Sequence, residues 1–228
     1  MFIPIEREEL PLIIVDNFLP TEYVELIFSQ LTNLKPYFSK SNWTSGVQQK
    51  HSPNCNGEDL WLPFSAKEDD KNENIGQDLA DLWKFLFHEG LINYLDNCKH
   101  YEFKNYSKIK YNFAYHLINY GNRGYYNWHV DSILQGPTWY GIEVENRNLF
   151  TFALTLIKDE SLIEGGKQLF MKSGKIVEIQ SKNNQLVIFP NSVYHSLTEI
   201  KCDENLEWEN RRFNIQAWLC ELPVFFNQ

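Results

Sequence analysis

The chain has 228 residues, 43% hydrophobic and 15% aromatic, which is enough to build a substantial core and excludes a disordered chain. A formal net charge of −9 and a pI near 5.2 argue against a nucleic-acid partner, whose backbone is gripped by clustered Lys and Arg; Arg211-Arg212 is the only arginine pair. Cys55, Cys98, Cys202 and Cys220 show no Cys-x-x-Cys spacing, and no signal-peptide-like or membrane-spanning apolar run is found, so the expectation is a cytoplasmic protein with reduced thiols and no membrane partner.

In chain order, Leu12-Ile13-Ile14-Val15 is a β-branched run closed by Asp16-Asn17, which predicts a strand. Thr21 then precedes Val24, Ile27, Phe28 and Leu31, spaced as the stripe of an amphipathic helix, with Pro36 just beyond its end. Residues 35 to 74 are polar and aperiodic, punctuated by Trp43, Trp61 and Phe64, and read as either a mobile surface segment or a lid. Leu79, Leu82, Trp83 and Leu86 repeat the helical stripe, and Gly90 before Leu91, Ile92 and Leu95 predicts a helix broken or bent there.

From Lys108 to Tyr120 the period changes to two. Ile109, Tyr111, Phe113, Tyr115 and Leu117 fall on one face, and Lys110, Asn112, Ala114, His116, Ile118 and Tyr120 on the other, as in a long strand with one apolar and one mixed face. Short strands broken by Gly, Asn and Pro follow at 126–131, 149–157, 167–171, 175–179, 185–189 and 211–220. Helices followed by many short strands predict a mainly β (α+β) fold, with N-terminal helices packed on one face of an antiparallel sandwich or barrel.

Within Tyr126-Asn127-Trp128-His129-Val130-Asp131-Ser132, His129 and Asp131 are two apart and share one face of an extended strand. An imidazole and a carboxylate so placed can take adjacent positions on a divalent first-row metal. One more imidazole would complete a facial set with positions left open for substrate and oxygen. Taken alone, the pair also reads as a structural hydrogen-bonded couple.

His195 follows the buried run Gln185–Pro190 and the connector Asn191–Tyr194, and either faces an interior cavity or caps a strand end. In Arg211–Trp218, Arg212, Asn214, Gln216 and Trp218 share one face, and Phe213, Ile215 and Ala217 the other. An arginine opening an apolar strand is costly to bury unless it meets an anion, either a carboxylate ligand or a carboxylate of the protein.

The order His129-x-Asp131, Gly165-Gly166, Phe189, His195, then Arg212 with Trp218 beyond it, resembles the prolyl 4-hydroxylase-type family of iron(II)/2-oxoglutarate-dependent oxygenases, roughly from Tyr111 to Leu219. Asp16-Asn17-Phe18-Leu19 and the following helix resemble that family's usual start. The resemblance implies a double-stranded β-helix (jelly-roll) core with helices outside, as one domain over 1–228: strand, helices and long loop in 1–107, jelly roll in 108–220. It implies iron(II) held by His129, Asp131 and His195, with Arg212 gripping the C5 carboxylate of 2-oxoglutarate, assisted by Tyr120. Gly165-Gly166-Lys167-Gln168-Leu169-Phe170 matches the family's glycine-pair run, where the backbone must turn tightly between strands.

The implied chemistry uses dioxygen, with ascorbate as reductant, to hydroxylate an unactivated C–H bond while 2-oxoglutarate becomes succinate. Asp131 favours hydroxylation over halogenation, because halogenases resembling this family carry a small residue there. The implied substrate is an amino acid or a prolyl or other peptidyl residue, with a small-molecule natural product as the alternative. Asn112, His116, Asn214 and Gln216 are expected to look inward as pocket groups beside Trp218. Tyr126 and Trp128 either border the substrate or are packing aromatics. Trp139, Tyr140, Trp43 and Trp61 are lid candidates.

Departures from the family pattern are also visible. The His195-to-Arg212 spacing (212 − 195 = 17) is longer than usual, and Asp203, Glu204 and Glu207 suggest a surface loop within it. Asn184 stands where many relatives have glycine, and Ile133–Asn148 reads as an insertion. Arg211 competes with Arg212; Arg212 shares parity with Trp218, as the arginine and tryptophan of the resembled family do, and the resemblance therefore favours Arg212. Two other readings compete. An oxygenase acting on nucleic acid lacks the basic surface it would need. A non-catalytic jelly-roll binding module would keep the fold without using Arg212.

Overall fold

The computed structural model describes residues 12–41, 55–62, 111–131, 147–172 and 174–221. The helical stripe around Leu79–Leu95, most of the inserted segment, and Trp43, Trp139 and Tyr140 lie outside these residues.

Strand β1 (Ile13–Val15) leads into helix α1 (Thr21–Leu34). Pro20 occupies the N-cap, Glu22 complements the positive end of the helix dipole, and Pro36 prevents continuation. Val24, Ile27, Phe28, Leu31 and Leu34 are buried along one face. Each such side chain contributes about 1.5–3 kcal/mol on leaving water. They pack on Phe152, Leu154, Leu156, Leu186, Ile188, Phe213, Ile215 and Ala217.

The remaining strands are β2 (Ser39–Lys40), β3 (Cys55–Asn56), β4 (Glu58–Leu62), β5 (Tyr111–Tyr120), β6 (Tyr125–His129), β7 (Arg147–Leu156), β8 (Glu164–Gly165), β9 (Gln168–Lys172), β10 (Lys175–Ile179), β11 (Gln185–Pro190), β12 (His195–Leu197), β13 (Ile200–Lys201) and β14 (Arg212–Glu221). They form a seven-stranded sheet ordered β1-β11-β7-β14-β5-β4-β2, a five-stranded sheet ordered β10-β9-β12-β6-β3, and a β13-β8 pair. The strand pairings are antiparallel throughout. The fold is the mainly β jelly roll expected from the sequence, with α1 covering the outer face of the larger sheet.

Alternation sorts the larger sheet's side chains between two cores. On β14, Phe213, Ile215 and Ala217 meet α1, while Arg212, Asn214, Gln216 and Trp218 take the other face. On β7, Phe152, Leu154 and Leu156 meet α1, while Ala153 joins Phe170, Ile179, Val187 and Phe189 between the sheets. Cys55, Ile118, Tyr120, Leu197 and Ile200 form the second inter-sheet cluster. The functional side chains are therefore set into an interior flanked by two apolar clusters.

Three expectations need correction. Part of the 35–74 stretch is strand: β2 and β4 extend the larger sheet and β3 the smaller, with Trp61 in β4 opposite His116. A polar residue at the inward position, Asp59, hid the alternation of β4. His195 lies past the end of β11, as expected, but also opens β12, a strand not expected from the sequence because its three residues are too few to show a period. The long connection before Arg212 is only partly a surface loop. Ile200 and Trp208 are buried, and Trp208 packs edge-on to Phe38 and Phe213.

Two departures have local explanations. Asn184 adopts φ 55°, a left-handed conformation that asparagine tolerates better than most residues. Its amide also accepts from Leu19 N–H and donates to Leu19 O, at 2.9 and 2.7 Å, which glycine could not do. At Gly165 (φ 80°) a Cβ would collide with the Glu199 carbonyl oxygen, so no side chain fits the turn.

Candidate active site

His129 closes β6, Asp131 lies two residues on, and His195 opens β12. His129 and His195 are direct cross-strand partners, with ring centroids 4.2 Å apart. Asp131 Oδ1 is 3.3 Å from His129 Nε2 and Asp131 Oδ2 is 3.7 Å from His195 Nε2. One ligand-type atom from each residue lies within 4.8 Å of the others.

The ring orientation follows from the backbone. His129 Nδ1 lies 2.7 Å from the Asn127 carbonyl oxygen, and His195 Nδ1 lies 2.9 Å from that of Val193. A carbonyl oxygen can only accept, so each Nδ1 carries the hydrogen. In the neutral rings Nε2 then holds a lone pair, and both Nε2 atoms are buried without a hydrogen-bond partner among the described residues. The rings are wedged by Tyr126, stacked on His129 at 3.9 Å, and by Phe189, 4.6 Å from His195.

Burial pushes the Asp131 carboxyl up, but the imidazoles of His195 and His129, which are positively charged in the acid range where the carboxyl titrates, together with the hydrogen bond donated by Thr151, outweigh it and hold the group below the usual carboxylate range. Burial pushes His195 down to about 4, against the pull of Asp131. At neutral pH the site thus holds an ionised carboxylate facing a neutral His195. Two buried nitrogen lone pairs converging on that carboxylate are a donor set completed by a divalent cation. The residues fit iron(II).

A second feature occupies the same interior. Arg212 is 1% exposed. Its Nη2 donates to Thr155 Oγ1 at 3.1 Å and to Ser181 Oγ at 3.3 Å, its guanidinium lies 5.4 Å from the Tyr120 ring, and its Nε and Nη1 have no partner among the described residues. No carboxylate neutralises it among the described residues. Burial pushes its guanidinium down to about 10, partly offset by Tyr120. A buried fork with unused N–H groups is a receptor for a planar anion. Arg211 faces outward, 3.5 Å from Glu58.

The other expected pocket residues separate. His116, Asn214, Gln216 and Trp218 are buried. His116 Nε2 lies 3.1 Å from Asp59 Oδ2, and its ring stacks on Trp218 at 5.9 Å. Tyr126 stands against His129, its phenol pushed up by burial, then by the charges of Asp131, Cys55 and Asp59. Trp128 instead stacks on the exposed Tyr194. Asn112 lies in β5 across from Cys220.

Sequence reasoning missed Thr151, Thr155, Ser181 and Asp59. Thr151 Oγ1 donates to Asp131 Oδ2 at 2.6 Å, and Thr155 and Ser181 accept from Arg212. The available signal was Thr151-x-Ala153-x-Thr155: two hydroxyls at period two inside an apolar strand.

The 2OG-Fe(II) oxygenase superfamily profile matches residues 115–220, a span holding His129, Asp131, His195, Arg212 and Tyr120. Over that span, a little under half of the chain, the sequence is similar to this superfamily of oxygenases. No curated protein matches the sequence. Among solved structures, a Pseudomonas putida prolyl-4-hydroxylase is similar with TM-score 0.54 and 12% identity, over 94% of this chain and 95% of that one. A Trichoplax adhaerens prolyl hydroxylase, solved with a hypoxia inducible factor oxygen degradation domain peptide fragment, gives 0.55 and 15%, over 92% and 83%. The non-heme alpha ketoglutarate dependent epimerase SnoN from nogalamycin biosynthesis gives 0.57 and 9%, over 95% and 83%. At these identities the likeness is one of fold.

Proposed function

We propose that this protein is an iron(II)/2-oxoglutarate-dependent dioxygenase that hydroxylates an unactivated C–H bond of an amino acid or of a prolyl or other peptidyl residue. The observation that carries the reading is the convergence of two partnerless imidazole Nε2 atoms on the Asp131 carboxylate. His129, Asp131 and His195 would hold the iron, and Arg212 with Tyr120, Thr155 and Ser181 would receive the far carboxylate of 2-oxoglutarate. With dioxygen, the bound iron and 2-oxoglutarate supply the oxidising power: one oxygen atom enters the C–H bond as a hydroxyl, the other enters succinate, and carbon dioxide leaves.

The chain's own groups position and shield. The Nδ1 hydrogen bonds fix both imidazoles, Thr151 orients Asp131, and Phe170, Phe189 and Tyr126 keep water from the rings. The prolyl hydroxylases among the similar folds support a peptidyl or amino-acid substrate. Packing of β1 and α1 on the jelly-roll sheet supports a single domain over 1–228. The described Cys55 and Cys202 are free thiols, which supports a reducing, cytoplasmic setting. Among the described residues, no helix is long and apolar enough to cross a membrane.

The test is anaerobic titration with iron(II) and 2-oxoglutarate, followed by the visible charge-transfer band. Succinate release and a one-oxygen mass gain are then assayed on amino acids and peptides with ascorbate present. Folded protein without the band defeats the assignment.

A further inference from the structure

We propose that the buried His116–Asp59 pair, with the Gln216 carboxamide beside it, is the subsite that receives a protonated amine of the substrate. The proposal rests on the oxygenase reading above and names the substrate class for that site.

The placement comes from the sheet register. β4, β5, β14 and β7 are consecutive in the larger sheet, with Trp61, His116, Gln216 and Ala153 aligned across them. Arg212 reaches from β14 toward β7, where Thr155 holds it, while Asp59 stands on β4, on the opposite flank. Three strand spacings separate β7 from β4, about 14 Å. Trp218 stacks on His116 and lies across from Thr151, whose hydroxyl holds Asp131. The pair is therefore linked to the metal centre through Trp218 and Thr151, while Asp59 itself is level with Asn214 and Thr155 along the sheet.

The chemistry of the lining selects the ligand. Asp59 is 8% exposed, and its Oδ2 is engaged by His116. Among the described residues that is its sole side-chain partner, so Oδ1 keeps its lone pairs. Gln216 is 4% exposed, directly opposite His116, and its carboxamide hydrogen-bonds nothing among the described residues. Asn214 Oδ1, on the same face of β14, is buried without a partner. Three acceptor oxygens and an indole face suit a cationic N–H donor. A carboxylate there would meet Asp59 and Asp131 with like charge.

The experiment uses the full chain loaded anaerobically with iron(II) and 2-oxoglutarate. The probes are pyrrolidine and n-butylamine, each against its neutral N-acetyl counterpart at pH 7, read by the shift of the charge-transfer band. The amines are expected to shift the band with midpoints at least tenfold below their acetylated partners. Asp59→Asn should keep the band and lose the preference, whereas His116→Gln, which can still donate to Asp59, should retain it. Equal midpoints, no shift with any amine, or a preference that survives Asp59→Asn overturns the proposal. If Asp59→Asn does not fold, the wild-type comparison decides alone. A missing band in folded wild type sinks the oxygenase reading and this one together; a band without amine preference sinks only this one.

Discussion

Thr151 and Asp131 meet across 2.6 Å, hydroxyl to carboxylate, although twenty residues separate them in the chain. The contact leaves Asp131 Oδ1 turned toward His129 and keeps the carboxylate from swinging away from the imidazoles. Thr151→Val preserves shape and removes the donor. Loss of such an orienting hydrogen bond typically costs about 10–100-fold in metal affinity. Manganese(II) titration of the variant, with manganese standing in for iron, should show that loss with the fold intact. Chelation should lower the wild-type melting temperature and leave His195→Ala unmoved.

The same contact shows what the sequence could and could not reveal. His129-x-Asp131, His195 and Arg212 were readable because their side chains are chemically rare in apolar strands. Thr151 and Thr155 were not singled out, since threonine is an ordinary strand residue and its role depends on which strand lies beside it. The alternation of β5, β7 and β14 separated the helix-facing residues from the interior ones. β3, β12 and β13 have two or three residues each, too short for any period to register. Asp59 belongs to a strand that the sequence presents as polar and aperiodic, and its neighbour His116 lies 57 residues away.

His195 ties stability to pH. Burial lowers it from 6.5 to about 4, so between those values the unfolded chain takes up a proton that the folded chain refuses. The stability of metal-free protein should therefore rise from pH 4 to 6.5 and level off above. Asp131, also lowered, acts in the same direction further into acid: its contribution is present above the ordinary carboxylate value and lost as pH falls through the folded one. Urea midpoints of chelator-treated protein should drop between pH 7 and 5, and more steeply than in His195→Gln. A flat profile would mean that the folded ring takes up its proton as readily as the unfolded one.

Arg212 gives a prediction with opposite signs for binding and stability. A guanidinium buried with two unused N–H groups destabilises the ligand-free fold, so Arg212→Met, similar in length and apolar, should leave the urea midpoint unchanged or raise it. Loss of the charge partner should weaken 2-oxoglutarate by about 2–5 kcal/mol, roughly 30-fold or more. Calorimetry with 2-oxoglutarate and denaturation of the apo variant measure the two effects separately. A variant both unstable and fully competent in 2-oxoglutarate binding would assign Arg212 a purely structural role.

Ala153 sits between the two threonines on the inner face of β7. Thr151 holds Asp131 and Thr155 holds Arg212, four residues apart, or about 13 Å of strand. Between them only a methyl group projects from β7, which, on the proposed reading, leaves room for the carbon chain of 2-oxoglutarate between Asp131 and Arg212. Ala153→Leu would fill that room. Overpacking against Phe170 and Phe189 should cost about 1–3 kcal/mol of stability. The larger expected effect is a loss of at least tenfold in 2-oxoglutarate affinity with metal affinity nearly unchanged, because the imidazoles and Asp131 are held by other contacts. Parallel titrations of metal and of 2-oxoglutarate distinguish this from general damage, which would weaken both together.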